Sequence, residues 1–325
     1  MTNAAPTLLA DIGGTNLRFA LGEGPAHPLR DDSIRRYRAA DHGSLVEAAS
    51  RYVAELGVQP RAAVFAVAGR VDGATAKITN LPWTVSAQEV TAKLGLASTR
   101  LVNDFAAQSR CLPLLSAGDL EILGPLPAPV LNDGTSRTVA VVGPGTGLGV
   151  GALLMRDGRA IELQTEGGHQ SFAPGTEEED AVLARLRARF GRVSNERLVC
   201  GSGLLNLYVA LCEIAGRAPV LATQEAVSTA ASEVTDPQAV RAVELFCELL
   251  GAITGDLVFA FGAWDGAYLT GGLLGPMLPW IRLGGFRRRF EDKGRFSAAL
   301  AKIPTVAIHH PNTGLLGAAA IALDD

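Results

Sequence analysis

The sequence predicts an α/β protein that uses one domain plan twice, with a cleft between the two copies. Three observations carry this. Apolar β-branched runs alternate with helical patterns along the whole chain, which implies layered α/β architecture. Two distant stretches, LLADIGGTNLRFAL (8–21) and VAVVGPGTGLGVGALLM (139–155), share the order strand, Gly–Thr turn, strand. Their separation is far longer than a solenoid repeat, so they mark two copies of a domain. Finally, 325 residues and 33.8 kDa exceed what one core usually organises.

Composition narrows the function classes. The chain is 48% hydrophobic and 19% charged with a net charge of −4, which argues against a large nucleic-acid or membrane footprint. Cys111, Cys200, Cys212 and Cys247 are widely spaced and form no C-x-x-C pair. They read as buried apolar residues of a reducing compartment. The opening MTNAAPTLLAD lacks the basic region of a signal peptide, and no apolar run is long enough to span a bilayer. The expectation is a soluble cytoplasmic protein.

The first glycine turn, DIGGTN (11–16), ends an apolar run and starts another. Backbone N–H groups with no Cβ in the way suit a phosphate. Neither turn carries the Gly-Lys-Ser/Thr of a P-loop, and strand-like VGALLM rather than a helix follows GPGTGLG, so neither a P-loop nor a Rossmann turn fits. One glycine hairpin alone is as readily a tight turn. Two matching ones, the first with a carboxylate, suit a triphosphate in a cleft, with Asp11 able to hold Mg²⁺ directly or through water.

GSLVEAASRYVAELGV (43–58) places Leu45, Val46, Ala49, Val53 and Leu56 on one helical face. In LVNDFAAQSR (101–110), Asp104 lies where a strand-like run meets a helical pattern. Strand ends collect catalytic residues in α/β proteins, although Asn and Asp also cap helices. SAGDLEILGPLPAPVLNDGTSRT (116–138) reads as a connector.

ELQTEGGHQSFAP (162–174) presents Glu166 and His169 around two glycines, a carboxylate and imidazole suited to sugar hydroxyls. TEEEDAVLARLRARFG (176–191) opens with a capping box, Thr176 and Glu179, and its acidic run fits the helix dipole. Glu196 in VSNERLV reads as an ordinary helix-start glutamate. FRRRFEDKGRF (286–296) reads as a solvated helix face.

DIGGTN, NDF, GPGTGLG, EGGH, ERLVCGSGL, TGGLL, FEDKGRF and NTGLLGAAA, in this order, resemble the bacterial glucokinase family over nearly the whole chain. That family belongs to the actin–hexokinase–chaperone ATPase superfamily, so the resemblance implies two ribonuclease H-like domains flanking a nucleotide and sugar cleft. It implies a smaller, discontinuous domain of residues 1–114 plus 312–325, closed by a small-residue helix in NTGLLGAAAIAL, and a larger one of residues 115–311.

The implied activity is Mg²⁺- and ATP-dependent phosphorylation of the glucose 6-hydroxyl, the first step of glycolysis, by a homodimer. Asp11, Gly13, Gly14, Thr15 and Asn16 look like the first phosphate motif, with Asp11 on the magnesium side. Gly145, Thr146 and Gly147 look like the second, and Gly271 and Gly272 like the adenosine motif. Asn103, Asp104, Glu166, His169 and Glu196 match the sugar ligands, with Asp104 as catalytic base. Glu196 thereby gains a role its local pattern does not give. Pro144 departs from the second motif by removing one donor, which leaves the N–H groups of Gly145 to Gly147 to grip phosphate. The C-x-C-G-x-x-G-C segment of the zinc-bearing sugar kinases does not occur, so no zinc is expected. Rival readings are a kinase of another hexose, a silent sugar sensor, and a superfamily phosphatase or chaperone-type ATPase. The first phosphate motif begins too close to residue 1 for the DNA-binding segment a sensor adds. EGGH and NDF supply sugar ligands that a hydrolase does not need.

Overall fold

The computed structural model describes residues 5–324; residues 1–4, the start of the opening stretch read for a leader, and residue 325 lie outside the described residues. The first sheet is built from β1 (Thr7–Ile12), β2 (Asn16–Gly22), β3 (Arg30–Arg38), β4 (Ala62–Val67) and, after a small antiparallel sheet of β5 (Val71–Asp72), β6 (Thr75–Lys77) and β7 (Thr84–Ser86), β8 (Ser98–Asn103). Its order is β3-β2-β1-β4-β8, with antiparallel pairs on the β3 side and parallel pairs from β1 to β8. Parallel neighbours need crossover connections. Helices α1 (Leu45–Leu56) and α2 (Ala87–Leu94) supply them, and α3 (Asp104–Arg110) follows β8 directly. The sequence sets the bounds of α1: Ser44 Oγ accepts the Glu47 N–H, and Gly57 ends the helix in the left-handed region.

The second sheet repeats the plan. Strands β9 (Leu120–Ile122), β10 (Arg137–Pro144), β11 (Leu148–Arg156), β12 (Arg159–Gln164), β13 (Gly266–Leu269) and β14 (Thr305–Ile308) stand in the order β12-β11-β10-β13-β14-β9. The first five reproduce the directions of the other sheet, and β9 adds an antiparallel edge. The connector expected over 116–138 therefore contains a short strand, recruited by the free edge of β14. Helices α4 (Glu177–Phe190), α5 (Gly201–Ile214), α6 (Gln224–Ser232) and α7 (Pro237–Phe261) link β12 to β13, and α8 (Leu274–Ile281), α9 (Gly285–Glu291) and α10 (Ser297–Leu300) link β13 to β14. The last helix, α11 (Thr313–Ala322), packs on the first sheet, where Leu315, Ala318, Ala319 and Ile321 meet Leu9, Ala20, Val64 and Ala66.

Helix α3 belongs to both cores. Ala106 and Ala107 join the apolar layer under α11, whereas Phe105 packs among Val139, Val141, Leu153 and Tyr268 of the second sheet. Side chains from either half also cross the boundary: Arg100 of β8 donates to Glu162 of β12 at 2.8 Å.

Two charge runs correct the sequence reading. Arg289, expected on a solvated face, is buried and paired with buried Glu179 at 2.7 Å, with 8% and 2% side-chain exposure. Glu178 pairs with Arg241 at 2.6 Å, and Arg287 donates to the carbonyls of Ile303 and Ala301 at the ends of the α10 segment. The acidic start of α4 thus does more than balance a helix dipole. Thr176 Oγ caps Glu179 N–H as expected, but the Glu179 carboxylate reaches back to Gly175 N–H rather than to Thr176. All four cysteines are free and buried. Among the described residues no helix is long and apolar enough to cross a membrane.

Candidate active site

Both glycine turns are hairpin tips. In the first, Ile12 pairs with Leu17 across residues 13–16; in the second, Pro144 pairs with Leu148 across residues 145–147. Turn geometry alone does not demand these glycines, because none of Gly13, Gly14, Gly145 and Gly147 adopts a left-handed φ. Close approach does. A Cβ on Gly14 would lie 2.8 Å from the Thr79 carbonyl, and one on Gly147 would lie 2.5 Å from Glu196 Oε2. A Cβ on Gly145 would make only ordinary contacts, 3.9 Å from Gly272 N and 4.0 Å from Gly147 O. Thr15 and Asn16, on the far side of the first tip, are exposed.

The second tip is arranged differently from the sequence expectation. Pro144 ends the strand rather than sitting in the tip, and its carbonyl accepts the Leu273 N–H. Gly145 N–H is already committed to Gly147 O at 2.8 Å, so among the described residues only Thr146 and Gly147 keep N–H groups free at this tip. The adenosine motif lies behind it. Gly271 has φ +96, and a Cβ there would lie 2.6 Å from Pro144 O, whereas Gly272 has nothing within 4 Å.

At the β8–α3 junction the capping question is answered by a neighbour. Asn103 is the cap: its Oδ1 accepts from Phe105 N–H at 2.9 Å and Ala106 N–H at 3.1 Å, and its Nδ2 donates to Gly69 O at 3.1 Å. One amide hydrogen remains uncommitted. Asp104 is therefore released from capping except for one Phe105 N–H at 3.0 Å. Burial raises its pKa first, the nearby Asp11 and Glu166 carboxylates add to the rise, and it stands at about 7.

Asp11 is the other member of this acidic pair. It lies opposite Arg18 in the β1–β2 register and accepts from Arg18 Nη1 at 2.9 Å. Burial raises its pKa, and the Arg18 charge opposes the rise. Its carboxylate also lies against the first turn of α11, where a Cβ on Gly314 would come within 2.7 Å of the carboxyl carbon. Two neighbouring half-buried carboxylates with raised pKa form a donor set that favours a cation. Among the described residues no group of three or more His, Cys, Asp or Glu forms a metal cage. Mg²⁺ does not require one, since it commonly binds one or two carboxylates, waters and substrate phosphates. The residues therefore fit that ion.

Glu166 and His169 lie on the opposite wall. They line a cavity of about 510 Å³ together with Gly69, Arg70, Lys77, Thr79 and Asn80 from the small β5–β7 sheet. His169 Nδ1 is 4.0 Å from Glu196 Oε1, and Glu196 Oε2 accepts the Leu148 N–H at 2.9 Å. Glu196 occupies a short 3₁₀ turn, Asn195–Arg197, so it bridges His169 and the second glycine tip rather than starting an α-helix.

Several site residues escaped the sequence reading. Arg18 was legible, because once 13–16 is a hairpin tip the cross-strand partner of Asp11 is residue 18. Gly69, Thr79 and Asn80 come from a separate hairpin with no phosphate signature. Gln108, whose Oε1 accepts from both Thr270 and Thr313 at 3.2 Å, becomes visible only when α3, β13 and α11 are assembled.

The chain resembles known proteins over nearly its whole length. The glucokinase family profile matches residues 8–325. The chain is 51% identical over 323 residues to the glucokinase of Xanthomonas euvesicatoria pv. vesicatoria (strain 85-10), spanning 98% of this chain and 95% of the relative. It is likewise 51% identical to that of Stenotrophomonas maltophilia (strain R551-3), spanning 99% and 96%. Its fold superposes on a glucokinase from an Antarctic psychrotroph with TM-score 0.87 and 30% identity, over 99% of this chain and 100% of that one. A Streptomyces griseus ROK family glucokinase, solved with glucose and AMPPNP, shares the fold at TM-score 0.63 and 20% identity, over 99% and 100% of the two chains. With paired glycine tips, a carboxylate freed by its neighbour's cap and a match from residue 8 to the end, the chain belongs to the glucokinase family, whose members are glucose-phosphorylating transferases.

Proposed function

We propose that the protein transfers the γ-phosphoryl group of ATP to the 6-hydroxyl of glucose, and that Asp104 is the base. The observation that carries this is Asp104 itself: half-buried, spared from capping, with a pKa near 7 and close enough to the Asp11 and Glu166 carboxylates to feel both.

In this reading the Asn103 amide and the Glu166, His169 and Glu196 side chains hold the sugar hydroxyls. Asp104 accepts a hydrogen bond from the 6-hydroxyl, which aligns that oxygen with the γ-phosphorus. As the new O–P bond forms, the bond to ADP breaks and its electron pair leaves with ADP. The hydroxyl proton passes to Asp104. A pKa near 7 suits a base operating near neutral pH, worth about 10²–10⁴ in rate. Gly14, Thr15 and Asn16 on one side, where Gly13 N–H closes the tip onto Asn16 O at 3.0 Å, and Thr146 and Gly147 on the other, direct backbone groups at the phosphates. Gly271 and Gly272 leave room for the nucleoside. Asp11 would hold Mg²⁺, which when bound neutralises charge on the β- and γ-phosphates. Arg18 keeps Asp11 charged and oriented.

The domain division at 1–114 plus 312–325 against 115–311 is part of the same proposal, with α3 as the pivot. So are a cytoplasmic homodimer and a place at the entry to glycolysis. A coupled ADP-release assay across hexoses tests the reaction. Release that requires glucose and yields glucose 6-phosphate supports it. Release independent of sugar, or a higher kcat/KM for another hexose, overturns it.

A further inference from the structure

Asn80 occupies a position that neither glycine turn nor the sugar wall accounts for. It sits in the turn between β6 and β7 with φ 64, a left-handed conformation that Asn tolerates but Gly adopts more cheaply. The Thr79–Asn80 backbone lies directly on the first phosphate turn: Asn80 Cβ would be 3.2 Å, and Nδ2 3.9 Å, from a Cβ placed on Gly14. Asn80 also lines the cavity it shares with Glu166 and His169. Its side chain is exposed to that space, and among the described residues its amide has no hydrogen-bond partner. A donor is thus held where the phosphate turn meets the sugar cavity.

We propose that the Asn80 amide donates to the phosphoryl group during its transfer, as a third contact beside the two glycine tips. The proposal rests on the kinase reading above. The donor comes from the small β5–β7 sheet, an element outside both hairpins, so it approaches the group from the sugar side. It makes and breaks no covalent bond. Its role is to stabilise negative charge that spreads over the equatorial oxygens as the O–P bond to ADP lengthens. An asparagine rather than glycine at this φ retains that amide at a modest conformational cost.

The test uses the full-length protein with Asn80→Gly, Asn80→Ala and Asn80→Asp, measuring kcat, both KM values and Tm. Glycine keeps the left-handed turn and removes only the amide. The expected result for Asn80→Gly is a kcat lower by about 100-fold, the size of one lost oxyanion donor, with Tm and the KM for glucose unchanged. Asn80→Asp, which puts negative charge at the same place, falls at least as far. Asn80→Ala loses Tm as well, because its Cβ disfavours the turn. Asn80→Gly at wild-type kcat would reduce Asn80 to a turn residue and overturn the proposal. A loss confined to the KM for glucose would also overturn it, by assigning the amide to the sugar. If the wild-type protein itself released no ADP with glucose, the kinase reading would fail and this proposal with it; active wild type beside active Asn80→Gly would sink this proposal alone.

Discussion

Asp104 illustrates how one residue's chemistry is set by its neighbour's hydrogen bonds. Asn103 takes the helix cap, so the adjacent carboxylate meets burial and two like charges with little compensation. The same perturbation that makes Asp104 a usable base costs stability. A folded-state pKa raised from 3.8 to about 7 means the folded protein binds this proton more tightly than the unfolded chain does. The penalty is fully present above the folded pKa and fades as pH falls through it toward the ordinary carboxyl value of 3.8. Asp104→Asn should therefore lose about 10²–10⁴ in kcat while still binding glucose. It should also raise Tm when measured at about pH 8, by an amount that shrinks at about pH 5. Calorimetry at the two pH values, beside turnover, checks both halves. A Tm that falls equally at both would show that the carboxylate is not held against its preference.

At the level of elements, each hairpin tip is fixed by what touches it from outside. Gly147 is small because the Glu196 carboxylate rests on it. Gly147→Ala should push Glu196 off the Leu148 N–H and lower kcat/KM for glucose by about tenfold or more, the scale of a lost charge-assisted hydrogen bond. An unchanged kcat/KM would separate Glu196 from the second tip. Far from the cleft, the Arg289–Glu179 pair ties α9 to α4. Arg289→Met leaves a buried carboxylate unpaired and should destabilise the fold by about 3–5 kcal/mol in chemical denaturation with kcat intact.

These elements also mark what was legible beforehand. The strand–turn–strand pattern and the Asp104 junction were readable because they are local: apolar runs, glycine clusters and a boundary between them. The cap exchange between Asn103 and Asp104 was not, since either residue caps a helix equally well. Nor was the buried Arg289–Glu179 pair, because two charge runs more than a hundred residues apart look solvated until the fold brings them together. The departure at Pro144 looked larger than it is. The strand register places it before the tip, and Gly145 N–H is committed within it.

For the whole molecule, each of the duplicated sheets carries one glycine tip, and α3 spans both cores through Ala106, Ala107 and Phe105. Gln108, one helical turn after Asp104, ties Thr270 of the second half to Thr313 at the start of α11. In the proposed reading, sugar ligands from both halves give glucose a reason to draw them together, which keeps water from consuming ATP. Small-angle scattering should show a smaller radius of gyration with glucose than without. Superimposable curves would count against closure.

The central claim is that both glycine tips clasp one polyphosphate, with Asp104 at its reacting end. A crystal structure with glucose, ADP, Mg²⁺ and a fluoroaluminate mimic of the transferring group measures this directly. The account predicts the mimic between the Gly14 and Gly147 tips, in line with the glucose 6-oxygen, and that oxygen hydrogen-bonded to Asp104. A mimic touched by only one tip, or a 6-oxygen turned away from Asp104, would contradict it.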